Sequence, residues 1–303
     1  MPQLFTAGIV VQKLPGIWLM SAHIAATPTF AGIDRDALGV EPGLHLAATY
    51  AREVEAGIAR VWENVFDWEH FPALHAEYFC DVRLLEEHAR GWRVAVTRQP
   101  GGPDRRIVIE LEVERERARY RVRIIEGDGA GTEIWTLLAA RDADRTAVEV
   151  RFYLPRTDPQ KLAELGEAYR LAYTRLWDAD EDMMRRRETL SGWTAKPLRR
   201  PIPLGPIAEL RQRLPLTLEI DGTSLRILAL EDGEIVAHST ICPHWRGPLD
   251  ACLPQVGILQ CPWHGYRFDL RTGLSADGRS YRLAPVVRVD LEATTGDAML
   301  IPL

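Results

Sequence analysis

Cysteine is scarce in this chain of 303 residues: Cys80, Cys242, Cys252 and Cys261 are all there is. That is too few for a disulfide-stapled secreted scaffold. Basic residues are outnumbered, 37 Lys and Arg against 43 Asp and Glu, for a net charge of −6. The chain therefore lacks the basic excess that phosphate backbones require, which excludes nucleic acid as a partner class. No run of about 18 apolar residues occurs. The best stretch, residues 7–20, is cut by Gln12, Lys13 and Pro15, so no membrane span is expected. The N-terminus lacks the basic start and small-residue cleavage site of a signal peptide, which predicts a cytoplasmic protein with reduced thiols. Residues 1–19 show no periodicity, so Met20 is a candidate start. What remains is ordinary globular material, 46% hydrophobic and 26% charged. The length favours two domains.

The first 43 residues are a segment without clear pattern. From 44 to 190 one unit emerges. A strand is expected over 44–54, followed by a helix over 57–66 with Ile58, Val61, Trp62 and Val65 at helical spacing. A second short helix over 68–75 is interrupted by Pro72. Period-two alternation follows, as in Trp92, Val94 and Val96 or Ile107, Ile109, Leu111 and Val113, with arginines and glutamates between. Six such strands punctuated by glycine and aspartate turns predict an antiparallel sheet with one apolar face. A long helix over 159–190 carries Leu162, Leu165, Tyr169, Ala172, Leu176 and Met183 as one stripe that must cover that face. Strand, two helices, six strands and a long helix resemble the helix-grip fold of START and plant-allergen-type domains. The resemblance implies an α+β domain whose curved sheet and helix enclose an apolar cavity, with Trp92, Trp135, Phe152 and Tyr169 in its core or lining.

Residues 191–215 hold five prolines and read as a stiff linker. Beyond it, 216–303 read as a small all-β domain. It contains Cys242-Pro243-His244 and, after sixteen intervening residues, Cys261-Pro262-Trp263-His264. This pattern, continued by Gly265, Phe268, Asp269, Thr272 and Gly273, resembles the Rieske iron–sulfur signature. The resemblance implies a [2Fe–2S] cluster, with Cys242 and Cys261 thiolates on one iron and neutral His244 and His264 on the other. A tetrahedral structural zinc is the alternative for such a donor set, although zinc fingers pair like ligands rather than mixing them. Cys252 fits no ligand position. Respiratory Rieske proteins carry a disulfide at the positions of Gly247 and Trp263, and a serine and a tyrosine at those of Tyr266 and Phe268. Their absence implies a low-potential cluster of oxygenase or ferredoxin type.

Such a cluster feeds electrons onward, and the first domain contains Glu63-Asn64-x-x-Asp67-x-x-His70-x-x-x-x-His75. The string resembles the iron-binding motif of Rieske non-haem iron oxygenases, whose catalytic domain is itself a helix-grip domain. The resemblance implies that His70 and His75 bind mononuclear Fe(II) and that Asp67 bridges to a cluster histidine. Residues five apart on a regular helix diverge by about 140°; Pro72 supplies the needed break. The resemblance further implies a third ligand, a carboxylate, from the long helix. With Leu176 as the centre of its stripe, 100° per residue sets Asp180 about 40° away, Asp182 about 120° away on the other side, and Asp178 and Glu181 on the far side. Asp180 is the expected ligand.

The resemblance thus implies an O₂-dependent oxygenase for a hydrophobic small molecule, reduced by NAD(P)H through a separate reductase or ferredoxin, with a homotrimer as its default assembly. The domain order is the reverse of the family's. The competing reading is a helix-grip ligand carrier fused to a Rieske electron-transfer domain. His23, His45, His88 and His238 are expected in surface or structural roles, and Trp245 and Arg246 as shields of the cluster or a reductase contact.

Overall fold

A computed structural model describes residues 30–292 and 295–303; Met20 and His23 lie outside them. After a four-residue helix α1 (Arg35–Leu38), the first domain runs β1 (His45–Val54), α2 (Ile58–Phe66), α3 (Phe71–Leu74), β2 (Phe79–His88), β3 (Gly91–Arg98), β4 (Arg106–Glu114), β5 (Arg119–Glu126), β6 (Glu133–Ala140), β7 (Thr146–Leu154) and α4 (Pro159–Thr189). The seven strands form one antiparallel sheet in the order β1-β7-β6-β5-β4-β3-β2. Alternation sets its inner face: Trp92, Val94 and Val96 lie opposite Leu111, Ile109 and Ile107 across the β3–β4 ladder, all buried. On the other face Arg93 and Arg123 both pair with Glu110.

The Asp158 carboxylate caps α4 by accepting the Lys161 N–H at 2.9 Å, with Pro159 as its first residue. Leu162, Tyr169, Tyr173, Trp177 and Met184 pack toward the sheet, and Tyr169 stacks on Phe152 at 5.3 Å. Gly166 allows the crossing over β1, since a Cβ there would stand 2.4 Å from the Ala47 carbonyl oxygen. This is a helix-grip domain, a curved sheet closed by one long helix.

Three expectations are corrected. Met183, read as part of the cavity stripe, is fully buried in the core of the second domain with Leu228, Leu249 and Cys261. A helix of 31 residues is about 46 Å long and outruns a ten-residue strand of about 33 Å, so its last turns need another cover. The outer face of the sheet is not uniformly polar. Phe30, Leu38, Val40 and Leu44 cover Trp135, Leu137 and Tyr153 there, so Trp135 lies away from the cavity. The expected linker is partly structured: β8 (Ile202–Pro206) and α5 (Ile207–Arg213) belong to the second domain, with Leu204 and Leu210 in its core. β8 is the edge strand of a three-stranded sheet, paired along residues 297–300, where proline's missing N–H costs little.

The second domain continues with β9 (Leu216–Ile220), β10 (Thr223–Ala229), β11 (Ile235–Ser239), β12 (Ile258–Gln260), β13 (Arg267–Asp269), β14 (Val287–Leu291) and β15 (Asp297–Pro302). They form sheets β11-β10-β9 and β14-β15-β8 and the hairpin β12–β13. No helix among the described residues is long and apolar enough to cross a membrane.

Candidate metal centres at the domain interface

Two equivalent turns carry the cysteines and histidines of the second domain. The Cys242 N–H donates to the Gly247 carbonyl at 2.9 Å, and the Cys261 N–H to the Tyr266 carbonyl at 2.8 Å. Each turn closes when the residue four further on donates back, Arg246 to Cys242 at 3.1 Å and Gly265 to Cys261 at 3.0 Å. Both thiols are buried. The two sulfurs lie side by side, and their interaction holds the Cys242 thiol above its ordinary pKa and the Cys261 thiol below. Burial and the neighbouring His264 push His244 down to about 4, so its imidazole is neutral, as a metal ligand must be. Nδ1 of His244 and Nδ1 of His264 are buried and make no hydrogen bond. A Cβ on Gly247 would stand 2.6 Å from Cys261 Sγ, so only glycine leaves that sulfur its space.

Two soft sulfurs and two orphaned imidazole nitrogens fit a [2Fe–2S] cluster. No three of these four side chains offer ligand atoms all within 4.8 Å of one another, which fits a two-iron cluster better than a single zinc ion.

The first domain gathers a second group. α2 ends at Asp67, whose extended backbone (φ −83°, ψ 97°) turns the chain away from the helix axis. His70 and His75 then flank the single turn of α3, with Pro72 in its first turn. The break expected at Pro72 therefore lies on both sides of it, and the two rings meet edge to face at 4.8 Å. Asp180 arrives from α4: its Oδ1 is 3.1 Å from His75 Nε2 and 3.6 Å from His70 Nε2. All three side chains are buried, and Asp180 Oδ1 has no well-formed hydrogen bond. An unpartnered buried carboxylate oxygen facing two imidazoles is costly unless a cation shares them, so the trio fits a divalent metal in a two-histidine, one-carboxylate set. The rival carboxylates go elsewhere. Asp178 is exposed and pairs with Arg52. Glu181, expected on the far side, is buried: it pairs with Arg52 and accepts the Glu55 N–H at 2.6 Å.

Asp67 stands between the two groups. Its Oδ2 accepts from His264 Nε2 at 2.7 Å and lies 3.1 Å from His70 Nδ1, at an angle short of a well-formed hydrogen bond. Burial alone would raise the Asp67 pKa, but His264 and His70 hold it well below the ordinary carboxylate range. Burial opposes a charge on His70, yet Asp67 and Asp180 keep its pKa raised. Of the two cluster histidines it is His264, not His244, that reaches Asp67.

Two contacts across the interface were not legible in the sequence. Tyr266 stacks on His244 at 4.3 Å and donates its hydroxyl to Glu69 at 2.9 Å. Arg279 donates to the same hydroxyl at 2.6 Å and pairs with Glu69 at 3.1 Å. Glu69 sits between Asp67 and His70, so one short loop meets both halves of the cysteine–histidine group. Arg187, from α4, lies 3.6 Å over the Trp245 ring and pairs with Glu63; Trp245 is therefore covered by the first domain. Within the first domain, Asn64 is buried beside Asp180.

His70, His75 and Asp180 line the end of a cavity of about 660 Å³ between sheet and α4. Phe71, Trp92, Ile109, Tyr173 and Trp177 make its wall mainly apolar. Trp92 and Tyr169 line it as expected, while Phe152 is wholly core. His45 and His88 are exposed at strand ends, and His238 is buried.

Comparison with known families matches residues 200–283 to the Rieske [2Fe-2S] domain. The C-terminal unit is a Rieske domain. No curated protein matches the chain. Among solved structures it is similar to the Zhui aromatase/cyclase of Streptomyces sp. R1128, with 16% identity, TM-score 0.42, and coverage of 50% of this chain and 99% of that one. A norcoclaurine synthase point mutant from Thalictrum flavum gives 16% identity and TM-score 0.39, covering 48% and 96%. The ferredoxin of carbazole 1,9a-dioxygenase from Nocardioides aromaticivorans IC177 gives 23% identity and TM-score 0.27, covering 34% and 99%.

Proposed function

We propose that the chain is an O₂-dependent Rieske non-haem iron oxygenase that hydroxylates, dealkylates or desaturates a hydrophobic small molecule. The observation that carries this reading is the continuous run of side chains His264–Asp67–His70, with His75 and Asp180 completing a metal-binding trio beside an apolar cavity. Cys242, His244, Cys261 and His264 would hold the [2Fe–2S] cluster, and His70, His75 and Asp180 a ferrous ion. When bound, the cluster supplies single electrons drawn from NAD(P)H through a separate reductase or ferredoxin, and the ferrous ion supplies O₂ activation.

The residues of this chain prepare that chemistry. Asp67, held as a carboxylate, accepts from His264 Nε2 and so leaves His264 Nδ1 free for the cluster. The same oxygen faces His70 Nδ1, which turns His70 Nε2 toward Asp180. Asn64 lies buried beside the Asp180 carboxylate. Trp92, Phe71 and Trp177 exclude water from the space before the trio and offer it an apolar substrate face. All these groups belong to one chain, so the contact between the two ligand sets requires no partner subunit.

Iron content tests the reading. The oxygenase binds about three irons per chain, where a carrier fused to a Rieske domain binds about two. His70→Ala with His75→Ala should lower the count from about three to about two and abolish substrate-dependent O₂ uptake. A wild type with about two irons and no substrate-dependent O₂ uptake, both unchanged in that double variant, would leave the ligand carrier as the correct reading.

A further inference from the structure

The cavity has two chemically different ends. α4 runs along it from Leu165 to Asp180, both of which line it. Fifteen residues at 1.5 Å each make this span about 22 Å. At the inner end stand His70, His75 and Asp180; between lie Tyr173, Trp177 and the aliphatic side chains of β4 and β5. The outer end is lined by Arg98, Arg105 and Arg156; among the described residues the acids of the lining besides Asp180 are Asp128 and Glu77. Glu77 is already paired with Arg175, which is not part of the lining. Asp128 meets Arg98 loosely, at 3.5 Å. Arg105 and Arg156 have no carboxylate at ion-pair distance among the described residues; Arg105 donates only to the Gln99 carbonyl. Tyr169 and Thr132 line the cavity as well, adding neutral hydroxyls to its wall. A rim with surplus cationic charge on a chain of net charge −6 is a local departure from its overall field.

We propose that the cavity takes an elongated amphipathic anion. Its carboxylate or sulfonate sits at the Arg98–Arg105–Arg156 rim and its aromatic or alicyclic body runs inward along α4. The end remote from the charge is then the one presented to His70, His75 and Asp180. Guanidinium groups suit such an anion because their planar donors match its oxygens in pairs. The length of the cavity favours an extended body over a single ring. The assignment of the reacting end rests on the oxygenase reading; the binding preference does not.

Equilibrium dialysis of the full chain against 1-pyrenebutanoate and 1-pyrenebutanol tests this, because the two share a body and differ only in the charged group. The carboxylate should bind about tenfold more tightly, roughly what one charge-assisted contact contributes. In Arg98→Gln with Arg156→Gln the difference should fall below about twofold while the alcohol binds as before. Ala172→Trp, which fills the middle of the cavity, should abolish binding of both. Equal affinities in the wild type, a preference that survives loss of both arginines, binding that persists in Ala172→Trp, or no binding of either compound would each overturn the proposal. Dialysis needs no turnover, so a chain that prefers the carboxylate yet binds only about two irons would refute the oxygenase reading alone.

Discussion

At the scale of residues, most of the candidate metal groups was legible because their spacing is local. Cys242, His244, Cys261 and His264 lie in two short turns, and Asp67, His70 and His75 lie within nine residues of one another. Once the resemblance pointed to a carboxylate on the long helix, helical geometry singled out Asp180, since 100° per residue separates it from Asp178, Glu181 and Asp182. The Tyr266–Glu69–Arg279 contact was not legible, because Tyr266 and Glu69 are 197 positions apart and nothing local couples them. Asn64 could have been found, as a polar residue among the buried positions of α2. His238, assigned only a surface or structural role, is a titrating weak point of the second domain. It is buried, with Nδ1 donating to the Ser239 carbonyl at 2.8 Å and Nε2 unpartnered. Burial pushes its pKa down to about 4, and the nearby Arg226 adds to this. A histidine whose folded pKa is depressed contributes full stability above its unfolded pKa of about 6.5 and loses it as pH falls toward 4. The loss is about 3 kcal/mol at its limit, from about 1.4 kcal/mol per pH unit. Urea midpoints at pH 7.5 and pH 4.5 should therefore differ less in His238→Gln than in the wild type. An equal fall in both would remove His238 as the cause.

At the scale of elements, the alternation of the strands and the order of helices were legible because one buried face imposes period two and α4 imposes period 3.6. What was not legible is where each element ends relative to its neighbour. Met183 obeys the stripe of α4 yet packs against the Rieske domain, because the helix outruns the sheet. Residues 202–213 look like linker because prolines are dense there, yet an edge strand accepts them. Gly166 is a point of close approach in the docking of α4 on β1. Gly166→Ala removes a residue costly to a helix interior, which by itself stabilises by roughly 1 kcal/mol. Its Cβ, however, would meet the Ala47 carbonyl at 2.4 Å. Overpacking of this kind costs about 1–3 kcal/mol, so the expected outcome is a Tm lower by a few degrees. A higher Tm would mean that the helix slides on the strand without strain.

At the scale of the whole molecule, the two domains meet through the loop that carries their chemistry. Asp67 and Glu69 reach His264 and Tyr266, Leu74 packs on the second domain's core, and α4 sends Met183, Arg186 and Arg187 to the same face. Sequence alone indicated two domains in reversed order but left open whether Asp67 would meet a histidine of its own chain or of another, because that depends on how 191–215 folds. The central claim is that Asp67 joins the two metal sites within one chain. Stopped-flow oxidation of the chemically reduced, iron-loaded protein by O₂, followed at the cluster absorption, tests it most directly. The wild type should react with a first-order rate independent of protein concentration, and Asp67→Asn should retain its iron but react roughly 10–100-fold more slowly. An unchanged rate in Asp67→Asn, or a wild-type rate that rises with protein concentration, would contradict the account.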